Sequence, residues 1–270
     1  MAGLLFESLD RRVCFVVQPG WEVVVGRRPP PADHNVRVQS LLVSSSHLRI
    51  VGDPLGCTIE DAGSTSGVYL DDLRLTGATR VEPGARIRMG GVVLGLRRVQ
   101  GELARDLLRG EPRTHAFALA LARGVLEALL ALHRDDLVHA DVTPNTILCS
   151  ETGEVVLLTQ GWSSLSRIED GEDAIEGNPL YVAPERFGEG RLQPASDVYS
   201  LALIVFEALA ARQPFGCMTV VDSMMAKLRG PAPACEPGWP PALAAWLTAS
   251  LNPDPRMRPS ASEGLLALRG

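Results

Sequence analysis

The apolar residues of this chain change their period near residue 100, and that change limits the folds open to it. Before it, they fall in short runs: Val13–Val17, Glu22–Val25, Leu48–Ile50, Gly67–Leu70 and Ile87–Leu96. Clusters of Pro, Gly, Asp and Ser divide these runs, which is the pattern of short strands and turns in a sandwich. From residue 115 onward apolar residues recur at helical spacing over 115–133, 198–211 and 242–251. The two patterns predict a multi-domain chain: an all-β sandwich over residues 1–99, then a mostly α-helical module over residues 115–270. The charged stretch between them, 100–114, contains Gly110 and Pro112 and reads as a linker.

Charge and cysteine usage narrow the class. The formal net charge of −6 argues against a dedicated nucleic-acid binder, which is usually basic. Cys14, Cys57, Cys149, Cys217 and Cys235 are scattered, odd in number and without CxxC spacing. That excludes a disulfide framework or a zinc site and predicts no bound metal and a cytoplasmic protein. The start of the chain, MAGLLFESLDRR, lacks the basic-then-apolar order of a signal peptide. The apolar stretches Phe117–Leu132 and Leu201–Ala211 read as buried helices too short for a membrane span, so no membrane partner is expected.

Four pieces stand in order in the first module. They are Gly26-Arg27, Val43-Ser44-Ser45-Ser46-His47, the turn and strand from Asp61 to Leu70, and Gly84-Ala85-Arg86-Ile87-Arg88-Met89-Gly90. Together they resemble the forkhead-associated (FHA) domain, over about residues 1–99. The resemblance implies a phosphothreonine-binding module. A phosphothreonine carries about −1.5 to −2 charge and three acceptor oxygens. Arg27 offers a planar donor fork, Ser44 and Ser45 a hydroxyl and a backbone N–H, and Thr65 and Ser66 a grip on the peptide. By the same resemblance His47 buttresses the loops, and Gly26 and Gly67 are structural. Two positions depart from the family pattern. Ser66 stands where the family has Asn, and Asp71-Asp72 where it has Asn-Gly. Both predict weaker affinity or an altered peptide preference.

The second module resembles the C-lobe of a serine/threonine protein kinase over about residues 115–270. His139-Ala140-Asp141 stands where that family has His-Arg-Asp, Gly177 to Glu185 matches the end of the activation segment, and Ser196-Asp197-Val198-Tyr199-Ser200-Leu201 the start of the long buried helix. The stretch Asn252 to Pro259 resembles the family's closing motif. The resemblance implies a structural ion pair between Arg258 and Glu185, and a structural role for Asp197.

What the resemblance requires for catalysis is missing from this sequence. Kinases hold Mg²⁺ with an Asn five residues after the catalytic Asp and with the Asp of an Asp-Phe-Gly motif. Those positions are Thr146 and, after the strand Val155–Leu158, Thr159-Gln160-Gly161. Asn145 stands one residue early. Neither Thr nor Gln brings the charge that holds Mg²⁺ against water. The only lysine, Lys227, lies downstream of the catalytic loop, whereas a kinase carries its phosphate-clamping lysine upstream. No glycine-rich loop or small sheet fits between the first module and His139.

The reading is therefore a pseudokinase that binds neither ATP nor Mg²⁺, with Asp141 vestigial and no catalytic residue. The expected function is a signalling adaptor that binds a phosphothreonine-containing protein, with a second protein on the kinase-like lobe. The alternative is serine/threonine kinase activity completed in trans or retained in a divergent form. A third possibility, self-recognition of a phosphorylated Thr159, Ser163, Ser164 or Ser166, ranks below both.

Overall fold

The computed structural model describes residues 2–32, 34–159, 166–167, 178–187, 192–215, 219–229 and 233–269. Gln160, Gly161, Ser163, Ser164, Gly177 and Cys217 lie outside the described residues. The chain forms two compact units. The first takes in the residues up to Gly101 together with Leu158 and Thr159, and the second starts at Glu102.

Strands β1 (Ala2–Ser8), β2 (Cys14–Val17), β3 (Glu22–Gly26), β4 (Val36–Arg37), β5 (Leu48–Asp53) and β6 (Gly56–Asp61) begin the first unit. Strands β7 (Val68–Leu70), β8 (Leu73–Arg74), β9 (Thr79–Val81), β10 (Arg86–Met89) and β11 (Val92–Leu103) follow. One sheet runs β4-β3-β5-β6-β9, antiparallel except for the parallel β3–β4 pair. The other joins β2 to β1, β1 to β11, β11 to β10, β10 to β7 and β7 to β8, all antiparallel. Alternation sets the inner faces: Leu48 and Ile50 of β5 and Ile87 and Met89 of β10 are fully buried, with Phe6, Phe15, Val23 and Val25 in the same core. This is the sandwich expected from the sequence.

Two details differ from the sequence pattern. Residues 2–8, not read as structured, form β1 and pair in register with β11 from Ala2↔Gln100 to Ser8↔Leu94. The run 87–96 is a hairpin rather than one strand. It turns at Gly90 (φ +56°), where a Cβ would lie 2.4 Å from the Leu42 carbonyl oxygen, a position that only glycine fits.

The second unit contains α1 (Ala104–Leu107), α2 (His115–His133), β12 (Leu137–Val138), β13 (Ile147–Ser150), β14 (Val155–Leu157) and β15 (Ser166–Arg167). After them come a 3₁₀ turn at Pro184–Phe187, α3 (Pro194–Ala210), α4 (Val220–Arg229), α5 (Pro241–Ser250), a second 3₁₀ turn at Pro255–Met257 and α6 (Ala261–Ala267). The stretch read as a linker is not free of this unit: Ala104 and Leu108 are buried in its core with Leu121, Val125 and Leu126 of α2. Helix α3 is buried nearly all round, from Ser196 to Phe206, as a central helix must be.

Helix α2 corrects the expectation that its apolar run is too short for a membrane. At 19 residues it is long and apolar enough by length and composition. Its face of Ala118, Leu121, Ala122, Val125, Leu126, Leu129 and Leu132 is instead buried in the core of the second unit.

Candidate functional site

Three loops of the sandwich carry the residues predicted to hold a phosphate. Arg27 follows β3, Ser44 and Ser45 precede β5, and Thr65 and Ser66 precede β7. Arg27 and Arg28 are fastened to the second loop through their backbones, with the Arg27 amide donating to the Ser44 carbonyl at 2.8 Å and the Arg28 amide to the Ser45 carbonyl at 3.1 Å. This close approach explains Gly26: a Cβ there would lie 2.1 Å from the Ser45 carbonyl oxygen.

His47 joins the second and third loops from below, with no solvent exposure. Its Nδ1 accepts the Ser44 amide at 3.0 Å, and its Nε2 lies 3.2 Å from the Gly67 carbonyl oxygen. A backbone amide can only donate, so Nδ1 is the bare nitrogen and Nε2–H donates to Gly67. Gly67 has φ +80°, which favours glycine.

Above this buttress the Ser44 hydroxyl accepts the Thr65 amide at 3.0 Å and lies 3.5 Å from the Thr65 hydroxyl. Its own hydrogen goes to the Thr65 hydroxyl, a long bond that a stronger acceptor can replace. Ser45, Thr65 and Ser66 are exposed. The Ser66 hydroxyl sits 3.4 Å from the Leu42 carbonyl oxygen, a weak bond that a peptide can replace. The Arg27 Nε is buried and has no acceptor among the described residues. A buried cationic donor without an acceptor is costly, and a bound anion removes that cost.

Sequence reasoning passed over Asp61, which shapes the third loop. Its Oδ1 accepts the Ser64 amide at 2.7 Å and its Oδ2 accepts the Val68 amide at 3.2 Å. Asx turns of this kind are hard to read from sequence because Asp is common in every polar turn. Asp71 and Asp72, expected to weaken affinity or alter peptide preference, form the two-residue turn between β7 and β8, with φ of 45° and 67°. The Asp71 carboxylate accepts the Arg86 amide at 3.0 Å.

In the second unit the residues of the catalytic-type loop are held firmly. Asp197, on α3 and 1% exposed, accepts the His139 amide at 2.8 Å, the Ala140 amide at 2.9 Å and the His133 ring at 2.9 Å. Ala140 is thereby kept at φ 70°. Asp141 is half-buried and lines a cleft with Asn178, Tyr181 and Arg186. The Arg258 guanidinium meets both oxygens of Glu185, at 2.8 and 2.7 Å, and Ser196 donates to the same carboxylate at 2.7 Å.

The positions at which a Mg²⁺ site would be sought are otherwise engaged. The Thr146 hydroxyl is buried and bonds the Thr143 amide at 3.0 Å and the Asp141 carbonyl at 2.9 Å. Thr159, in the first unit, is 3% exposed. Its hydroxyl accepts the Cys14 amide at 2.9 Å, and its own amide donates to the Cys14 carbonyl at 2.6 Å. Asn145 is exposed. Lys227 is 1% exposed, and its ammonium donates to the carbonyls of Pro179, Leu180 and Val182 at 3.1, 2.6 and 3.0 Å. Its uniqueness was visible in the sequence, but its structural role was not.

Comparison with known proteins supplies the family. A family model of the protein kinase domain matches residues 92–267, more than half of the chain. The chain belongs to the protein kinase family. Ahead of this kinase domain, the FHA domain model matches residues 23–90. Among similar proteins is the serine/threonine-protein kinase PknL of Mycobacterium tuberculosis, 39% identical over 123 residues, 43% of this chain and 30% of that one. The serine/threonine-protein kinase PknA of the same organism is 33% identical over 171 residues, 58% of this chain and 39% of that one. The chain thus spans between 30% and 39% of the length of these kinases. A solved FHA domain, that of the CT664 protein from Chlamydia trachomatis, covers 35% of this chain and 95% of its own, at 23% identity and a TM-score of 0.32.

Proposed function

We propose that this chain is a phosphothreonine-reading signalling adaptor whose kinase domain transfers no phosphoryl group. The observation that carries the first half is Arg27, whose buried Nε lacks an acceptor among the described residues beside loops fastened by His47. Each hydrogen bond from a charged donor contributes about 1.5–3 kcal/mol, so Arg27 supplies most of the affinity for a phosphate. Binding of a phosphothreonine peptide library and of its unphosphorylated counterpart to the full chain tests the reading. Phosphate-dependent selection is expected, and equal retention of both libraries would refute it.

Two observations support the second half. The hydroxyls of Thr146 and Thr159 are engaged within the protein and bring no charge. Lys227 is buried against three carbonyls and offers nothing to a nucleotide. A cytoplasmic location accords with the buried thiols of Cys57 and Cys149, which are in no disulfide. The second reading, activity completed by another chain, is favoured by Asp141, which faces a cleft. Phosphotransfer that disappears in Asp141→Asn would establish it over the first.

A further inference from the structure

Helix α4 is held to its unit differently from α2, α3 and α5. Those three helices all contribute to the unit's apolar core, and none of the described residues of α4 does. Its exposed face carries Val221, Met225 and Leu228, a stripe at positions i, i+4 and i+7. Ser223 and Lys227, one turn apart on the opposite face, are buried. The buried side of α4 is therefore polar, and its largest member is a cation.

That cation holds one wall of the cleft beside Asp141. The Lys227 ammonium donates to the carbonyls of Pro179, Leu180 and Val182 at 3.1, 2.6 and 3.0 Å, and stands 5.7 Å from the centre of the Phe187 ring. An ammonium has three N–H donors and no acceptor, so it suits three carbonyls. Asn178, Tyr181, Val182, Ala183 and Arg186, from the same stretch of chain, line the cleft. Lys227 is also the only lysine in the sequence.

We infer that Lys227 is a charge latch between α4 and the cleft wall, and the one side-chain amine at which acylation opens it. An element with little apolar burial opens locally, without global unfolding. When α4 lifts, the neutral amine attacks the carbonyl carbon of an acyl thioester. The carbon–sulfur bond breaks, an amide forms, and the amine's proton leaves with the thiol. The acylated side chain has no charge and a single N–H for three carbonyls. Redocking it would bury carbonyls without partners, which is costly. Acylation therefore keeps α4 and residues 179–187 released, and the cleft beside Asp141 loses that wall.

The test compares two amines in one full chain. Arg229 is exposed and lies two residues from Lys227, so Arg229→Lys adds an accessible reference amine. Reaction of each site with an activated acetyl ester is followed by mass spectrometry. Lys227 is expected to react at least about 100-fold more slowly than the amine at position 229. In urea below the unfolding transition of α2 and α3, its rate should rise in step with amide exchange of residues 179–187. Lys227→Gln removes the charge as acylation does. It should speed exchange of residues 179–187 by about tenfold or more while α2 and α3 stay protected, and Lys227→Arg should keep exchange near the native rate. Equal reactivity at the two sites, or reaction of Lys227 only as the whole unit unfolds, would overturn the inference, as would native exchange rates in Lys227→Gln. The reactivity measurement needs no substitution at position 227, so it decides the matter even where Lys227→Gln does not fold.

Discussion

Thr159 and Cys14 are joined by three hydrogen bonds: the Cys14 amide donates to the Thr159 hydroxyl at 2.9 Å, and the Thr159 amide and hydroxyl donate to the Cys14 carbonyl at 2.6 and 3.2 Å. Thr159, which the sequence resemblance sets at the metal-binding Asp of kinases, is thus a structural clip on β2. Thr159→Asp, the substitution that nominally restores the motif, places a carboxylate at a site 3% exposed. It is expected to cost about 3 kcal/mol or more and to confer no Mg²⁺-dependent nucleotide binding. Urea titration and calorimetry with ATP and Mg²⁺ check both parts.

Removal of the His47 ring should loosen the phosphate site without touching a ligand. His47→Ala leaves the half-buried Ser44 amide and the buried Gly67 carbonyl without the ring and opens a cavity. A loss of about 3 kcal/mol is expected, together with loss of phosphopeptide binding. Native stability combined with lost binding would show instead that His47 meets the peptide.

The ion pair of Arg258 and Glu185 should matter more than its surface counterparts. The two side chains are 0% and 9% exposed, and Arg258 also donates to the carbonyls of Asn252, Ala195 and Pro253. Glu185→Gln or Arg258→Met leaves an uncompensated buried charge or carbonyls, at about 3–5 kcal/mol. The exposed pair Arg212–Glu236 is expected to contribute below about 1 kcal/mol. Denaturation midpoints of the variants distinguish the two cases.

Burial raises the Glu207 carboxyl above its ordinary value of 4.5, while hydrogen bonds from Tyr181, at 2.7 Å, and from Gln213 offset part of that rise. The folded state then holds this proton more tightly than the unfolded chain. Between 4.5 and the raised folded value, this group's contribution to stability falls as pH rises. Glu207→Gln should flatten that part of the profile. An identical pH slope in native and variant proteins would show that Glu207 is not its source.

Much of this was legible in the sequence because it rests on period and order. The alternation around Leu48 and Ile50 and the helical spacing of 115–133 report burial directly, and the spaced Arg27, Ser44, His47 and Thr65 fix which loops converge. Other features depend on partners distant in sequence. Strand β1 was illegible because its residues take their meaning from pairing with β11. The clip at Thr159 joins residues 145 apart, and a Thr after a strand carries no mark of that partner. Lys227 was visible only as an isolated lysine, because its three carbonyl acceptors lie 45 to 48 residues earlier.

In the proposed function Arg27 is the anion-binding group of a phosphothreonine reader. Isothermal titration of one phosphothreonine peptide selected from the library, against the native chain and Arg27→Ala, tests it most directly. Saturable, phosphate-dependent heat from the native chain and none from the variant is the expected result. Equal binding by both proteins would contradict the account.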